Sequence, residues 1–304
     1  MAYAGFDRAD FPSLDFMARL KSETNLVWCG YYLHAPSQPA TTWRGKRAAL
    51  AAQGWGFAPI YVGQQITGPG SHDVTEAQGA RDGADAADQM RAEGFPLGSF
   101  VFLDLENGPP FTGAQQGYVG AWIDAVRAHG FGAGVYCSFL FALTVDALRP
   151  DVRMWVFRVT TTRPHPVAGR VFPVPEPGVS GFKGAHLWQR DDEARLSGFG
   201  DLAIDLNSSL YADPSAPVSP AKIAPPPTPA IPSPAEYPVG SIAWAQQALN
   251  TLGARPALDI DGVAGPVTRA AVAKFQASAR LRQDGLIGPQ TTAALQAALA
   301  HPSS

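Results

Sequence analysis

Four acidic residues stand where chemistry is possible. Asp7 ends the run Tyr3–Asp7, Asp104 and Glu106 end Phe100-Val101-Phe102-Leu103-Asp104-Leu105-Glu106, and Asp205 ends the run that opens at Ala203. Each run is short and apolar and reads as a β-strand. An ionised carboxylate in such a place is unfavourable unless it is solvated, paired or used. One alone reads as a helix cap or a loop hydrogen-bonder, but four meeting at one mouth read as a reaction centre. Asp104 and Glu106 are spaced i, i+2, so an extended strand presents both on the same face. Hydrolysis of a glycosidic bond fits this set. It needs one carboxyl group that still holds its proton and a second group to support a cationic transition state. Crowding of like charges and partial desolvation raise the pKa of one member towards neutrality, and Glu106 is the expected proton holder.

The elements that must position these groups follow from the pattern of apolar residues. Strands are expected at Tyr3–Asp7, Leu26–Leu33, Phe57–Val62, Phe100–Leu105, Gly132–Tyr136, Trp155–Val159, Ala185–Gln189 and Ala203–Leu206. Amphipathic segments between them predict helices at Leu14–Lys21, Trp43–Gln53, Val74–Glu93, Gln115–His129 and Phe141–Leu148. Alternation of this kind predicts an α/β fold, a (β/α)8 TIM-like barrel of parallel strands, with a doubly wound open sheet as the alternative. The Pro- and Gly-rich span Thr160–Lys183 has no helical period and predicts an irregular crossover. In a parallel barrel the functional groups gather where strands end. That adds Tyr61, Tyr136, Trp188 and Gln189 as substrate-binding candidates, since sugar rings stack on aromatic faces. Tyr61 and Tyr136 could equally cap the barrel core. Arg158 either pairs with a carboxylate or is a solvated loop residue, and the run Asp191-Asp192-Glu193 reads as a solvated rim that could line a subsite.

Between Pro214 and Pro238 prolines crowd the chain with Ala and Ser between them, which predicts an extended polyproline II linker. The domains expected are 1–212 (barrel), 213–239 (linker) and 240–301 (a small three-helix domain). In the last, Ile242, Ala245, Leu249 and Leu252 recur at helical spacing. Asp261-Gly262-Val263-Ala264-Gly265-Pro266 is then echoed by Asp284-Gly285-Leu286-Ile287-Gly288-Pro289, each copy opening a helix with Pro in its first turn. Val267, Ala271 and Phe275 form one apolar face of the first of these helices. Asp259-Ile260-Asp261-Gly262 lacks the later ligands of a calcium loop and reads as a turn.

Other function classes fall away. Basic and acidic residues number 23 and 26, giving a net charge of -3 with no basic stripe, so nucleic acid is not an expected partner. No apolar run reaches the ~18 residues of a membrane span, and the first residues lack the features of a Sec signal peptide. Release through a phage-type lysis pore or a dedicated secretion machine is therefore expected, with an antibacterial effector or phage endolysin as possible deployments. Cys29 and Cys137 each lie in an apolar run and are expected to be buried and reduced. The six histidines form no His-Glu-x-x-His, and neither a phosphate-binding Gly-x-x-x-x-Gly-Lys loop nor a Gly-x-Ser-x-Gly elbow occurs. No metal and no cofactor is expected, and the chain is expected to be a monomer.

Gly5-Phe6-Asp7, Phe102-Leu103-Asp104-Leu105-Glu106, Leu187-Trp188-Gln189 and Ile204-Asp205-Leu206-Asn207, in that order, resemble the barrels of family-25 glycoside hydrolases, the lysozymes. The closest resemblance, over residues 2–212, is to glycoside-hydrolase-like relatives grouped as domain of unknown function family 1906. The chain departs from the lysozymes in its loops, in the stretch Pro164–Pro177 and in the Asp7-Arg8-Ala9-Asp10 start. The resemblance implies a muramidase-type reaction on the β-1,4 bond of peptidoglycan glycan strands. Glu106 would be the acid/base and Asp104 would orient the substrate N-acetyl group for neighbouring-group attack, while Asp7 and Asp205 would position the sugar and tune Glu106. Gln246-Gln247-Ala248-Leu249, Asp261-Gly262, Gly265-Pro266-Val267-Thr268-Arg269, Phe275-Gln276 and Asp284-Gly285 resemble the peptidoglycan-binding domain common on wall hydrolases. Together these imply a cell-wall glycosidase concentrated on its polymer by the tail. The rival reading is a non-catalytic wall-binding protein with a lectin-like barrel.

Overall fold

In a computed structural model of the chain, the described residues are all except 1, 40, 160–163, 201, 218–236, 256, 259, 261 and 301–304. The chain divides into a larger unit over residues 1–223, apart from 109–111, and a smaller one over 224–304. Most of the expected linker lies outside the described residues.

The larger unit alternates strands and helices through its first two thirds: β1 (Tyr3–Asp7), α1 (Leu14–Glu23), β2 (Leu26–Tyr32), α2 (Arg47–Ala52), β3 (Gly56–Val62), α3 (Glu76–Ala92), β4 (Phe100–Asp104), α4 (Gly113–Ala128), β5 (Gly132–Ser138), α5 (Ala142–Leu148) and β6 (Arg153–Phe157). Three more strands follow: β7 (His165–Val167), β8 (Leu187–Leu196) and β9 (Ala203–Ser209). The three longest of these helices, α1, α3 and α4, begin where small side chains take up free N–H groups. Ser13 accepts from Phe16 N, Thr75 accepts from Gln78 N, and Thr112 forms a reciprocal capping box with Gln115. Strands β1 to β6 pair in parallel, each with its successor. β6 then pairs with β8, β8 with β9, and β9 with β1, so the ring closes on eight strands as a TIM-like α/β barrel, with β7 attached outside it to β8.

The barrel departs from a fully parallel one at its last strand, because β9 runs antiparallel to both neighbours. The cause is length: only residues 197–202 separate β8 from β9, whereas a parallel return needs a dozen residues or more. Asp205 therefore lies near the start of β9 and not at a strand end, and it faces Asp7 directly across the β1–β9 ladder. The expected irregular crossover after β6 holds among its described residues, which carry β7 and a single 3-10 turn at Pro177–Val179.

Inward-facing residues fill the barrel in layers. In the middle layer Trp155 meets Trp28 edge-on at 5.7 Å and Phe102 at 5.5 Å. Gly5 makes room for them, since a Cβ there would fall 2.1 Å from the Trp28 ring. At the base the buried Arg153 lies over Phe100 and Tyr211, and its Nη1 donates to Pro214 O and Ala216 O. Asp213 accepts from Phe57 N at 3.0 Å. The chain thus stays bonded to the barrel floor several residues past 212. Cys29 and Cys137 are buried and free.

The smaller unit packs α6 (Ile242–Thr251), α7 (Pro266–Ser278) and α8 (Pro289–Ala300) around Trp244, Ala245, Ala248, Leu249, Leu258, Val272 and Leu295. Each copy of the repeat is pinned by a buried glutamine. Gln246 accepts from Gly262 N and donates to Val263 O and Thr268 Oγ1. Gln276 accepts from Gly285 N and donates to Asp284 Oδ1, Leu286 O and Thr291 Oγ1. Asp259 and Asp261, in the turn that superficially resembles a calcium loop, lie outside the described residues. Gln276→Leu keeps the bulk but strands the buried Gly285 N–H, and is expected to cost the tail about 1–3 kcal/mol. Urea unfolding followed by Trp244 fluorescence checks this, and an unchanged midpoint would show the loop to be held by packing alone.

Candidate active site

The mouth of the barrel is a narrow hollow of ≈ 50 Å3 above Trp155, walled by Asp7, Tyr32, Ile60, Asp104, Glu106, Tyr136, Gln189 and Asp205. That is room for a few water molecules. Among the described residues no lysine, arginine or histidine lines it, so the negative charges there are relieved by hydrogen bonds or by protons. Among the described residues no group of three or more His, Cys, Asp or Glu is arranged to hold a metal ion.

Each carboxyl group has its own environment. Asp7, at the tip of β1, accepts from Tyr32 Oη at 2.9 Å and from Asn207 Nδ2 at 2.8 Å, and Asn207 is held in turn by Trp155 Nε1 at 3.0 Å. Gly30 leaves the space it occupies, since a Cβ there would fall 2.5 Å from Asp7 Cβ. Burial pushes the Asp7 pKa up to about 6, with the two donors opposing the rise. Asp104, at the tip of β4, is buried, and its Oδ1 has no hydrogen-bond partner among the described residues. Burial first, then the charges of Glu106 and Asp7, hold its pKa well above the usual carboxylate range. Glu106 lies at the solvent-exposed rim, two residues beyond the end of β4, and burial of its inner side by the walls raises its pKa as well. Asp205 is pushed up to about 9 by burial and by Asp7, against the hydrogen bond its Oδ1 accepts from Glu193 N at 2.8 Å. The site is therefore a set of carboxyl groups whose pKa values are all raised, with Asp104 buried and Glu106 the one that reaches solvent.

The four acidic residues come together, as do Tyr136 and Gln189, whose side chains hydrogen-bond to each other. Tyr136 also stands edge-on to Trp155 at 5.2 Å. The structure keeps Tyr61 and Trp188 out of the hollow. The reason is strand alternation: Ile60 faces the barrel interior, so Tyr61 points the other way, donating to Asp85 Oδ2 on α3 at 2.9 Å and packing beside Trp122. Gln189 likewise faces inward, and Trp188 turns outward to donate to Arg158 O at 3.2 Å. Arg158 lies over the Phe139 ring and donates to Ser180 O, pairing with none of the four carboxylates. Tyr32, Trp155 and Asn207 were not among the sequence candidates. Counting alternate residues along β2, β6 and β9 in register with Asp7 would have found them.

Comparison with known families matches residues 19–164 to the Rv2525c-like, glycoside hydrolase-like domain. Over those residues the barrel is similar to that family. A peptidoglycan binding domain matches residues 239–295. The matched part of the Rv2525c-like domain carries Asp104 and Glu106, whereas Asp7 and Asp205 reach the mouth from strands outside it. Among solved structures, an uncharacterized B. stearothermophilus protein is 17% identical with a TM-score of 0.49, covering 67% of this chain and 94% of its own. The Mycobacterium tuberculosis Tat-secreted protein Rv2525c, in complex with HEPES, is 15% identical with a TM-score of 0.48, covering 70% and 96%. The Clostridium perfringens spore cortex lytic enzyme SleM is 14% identical with a TM-score of 0.44, covering 68% and 67%. Curated proteins give no match. No helix among the described residues is long and apolar enough to cross a membrane.

Proposed function

We propose that this protein is a peptidoglycan glycoside hydrolase of muramidase type whose barrel cleaves glycan strands and whose tail holds it on the wall. The observation that carries the reading is the hollow in which Asp7, Asp104, Glu106 and Asp205 meet, with no cationic side chain among the described residues lining it, at the mouth of a glycoside-hydrolase-like barrel. The hollow is too small for a whole sugar ring, so the ring lies across the rim and lowers its N-acetyl substituent into the space above Trp155. Protonated Glu106, nearest to solvent, gives its proton to the leaving glycosidic oxygen as the bond to the anomeric carbon breaks. The substrate's own acetamido oxygen, oriented by Asp104, bonds to that carbon. Glu106, now a carboxylate, takes a proton from the water that opens this ring, and the configuration is retained without a covalent link to the protein. Asp7 and Asp205 position the sugar and tune Glu106.

Digestion of purified sacculi by the full chain, with mass spectrometry of the products, tests this. New reducing ends at muramic acid, accompanied by loss of turbidity, are expected. Binding without any new reducing end would instead make the protein a wall-binding lectin.

A further inference from the structure

Gln65 lies in the loop after β3, is 3% exposed, and has every polar group engaged. Its main chain is fixed by Ser71 O, which accepts from Gln65 N at 3.0 Å, and by His72 Nδ1, 2.7 Å from Gln65 O. Its carboxamide turns to the tip of β4, where Nε2 donates to Asp104 O at 2.9 Å and Oε1 accepts from Glu106 N at 3.2 Å. The β3–β4 ladder ends at the pair Val62 and Asp104. Beyond it the main chain of β3 turns away, and Glu106 would lose a strand neighbour on that side. In a parallel sheet the peptide groups of one residue bond to the C=O before and the N–H after the residue opposite. The Gln65 amide makes that same pair of bonds around Leu105, standing in for one more rung of the ladder. Leu105 N meanwhile donates to Tyr136 O on the β5 side at 2.9 Å. The segment beyond β4 is thereby kept extended, and Glu106 stays on the face that Asp104 occupies.

We propose that Gln65 is a positioning residue that holds Glu106 in register with Asp104 at the mouth, an assignment that rests on the glycosidase reading. Two substitutions in the full chain test it. Gln65→Met matches the length and removes both bonds. It is expected to lower kcat on sacculi about 10- to 100-fold with KM within about twofold, and to move Glu106's titration towards that of an ordinary exposed carboxylate. Gln65→Glu, when protonated, restores a donor and an acceptor in the same places. It is therefore expected to rescue kcat at acid pH and to lose it as pH rises and residue 65 ionises, giving a steeper alkaline limb than the wild type. A Gln65→Met protein with wild-type kcat and an unmoved Glu106 titration would overturn the assignment. If Gln65→Met does not unfold cooperatively, the Gln65→Glu profile decides alone, and its superposition on the wild-type curve overturns the proposal. If the wild type hydrolyses nothing, the glycosidase reading fails by itself. Carboxyl-carbon NMR of Glu106, assigned with Glu106→Gln, then reports whether Gln65 sets its environment.

Discussion

Glu106→Gln is expected to reduce the release of reducing ends from sacculi by about 10²- to 10⁴-fold, the range for removing a positioned acid. The substitution keeps the shape of the side chain and the main-chain bond from Glu106 N to Gln65, and removes only the capacity to give up and take back a proton. Glu106 is the critical position because it combines a raised pKa with exposure to solvent. Asp104 holds its proton more firmly but is buried, with an oxygen that meets no partner, so it can orient a substrate group more readily than it can exchange protons with water. Sacculus pull-down by the same variant is expected to be unchanged, since the peptidoglycan binding domain lies in the other unit. The paired measurement separates chemistry from attachment. Retention of more than about a tenth of wild-type hydrolysis would move the acid role away from Glu106, with Asp104→Asn the next variant to assay.

The strand-borne acids were legible because a carboxylate closing an apolar run is unfavourable without a use, and the parallel strands carry Asp7, Asp104 and Glu106 to one end. Asp205 reached the same mouth for a reason the sequence concealed: a short return reverses β9, so an acid at the beginning of a strand arrives where the others end. Tyr61 and Trp188 failed because position near a strand end says nothing about face. The face depends on register, and the pairing of Val62 with Asp104 is what turns Ile60 inward. Gln65 had no sequence signature at all, since a side chain that imitates a peptide group is visible only once its two partners are in place. In the tail the prolines that open α7 and α8 could be read directly. The glutamines that pin the turns before those helices, Gln246 and Gln276, stood in the family pattern, but their task depends on a loop folding back across helices 16 and 9 residues away in the chain.

Asp205→Asn is expected to make the protein more stable at neutral and alkaline pH while lowering hydrolysis, and this opposition bears on why the acids are there. The folded chain raises Asp205 to about 9 and Asp7 to about 6, against about 3.9 for an aspartate in the unfolded chain. Between those values the folded state binds more protons than the unfolded state, so stability falls with rising pH. The contribution is intact below about pH 4 and is lost as pH passes through 6 and then 9. An amide at position 205 can still accept from Glu193 N, but it carries no charge beside Asp7. The expected gain at pH 8 is about 1 kcal/mol or more, about 2–4 °C in melting temperature for a domain of this size. The fall in melting temperature between pH 5 and 9 should become shallower. Calorimetry across that range checks both expectations. A structural carboxylate would show the reverse, because its loss would leave a donor unpaired and lower the melting point at every pH. Higher stability together with lost hydrolysis would mean that the barrel holds acidic groups against their electrostatic preference, which a wall-binding lectin recognising neutral hydroxyls would have no physical need to do.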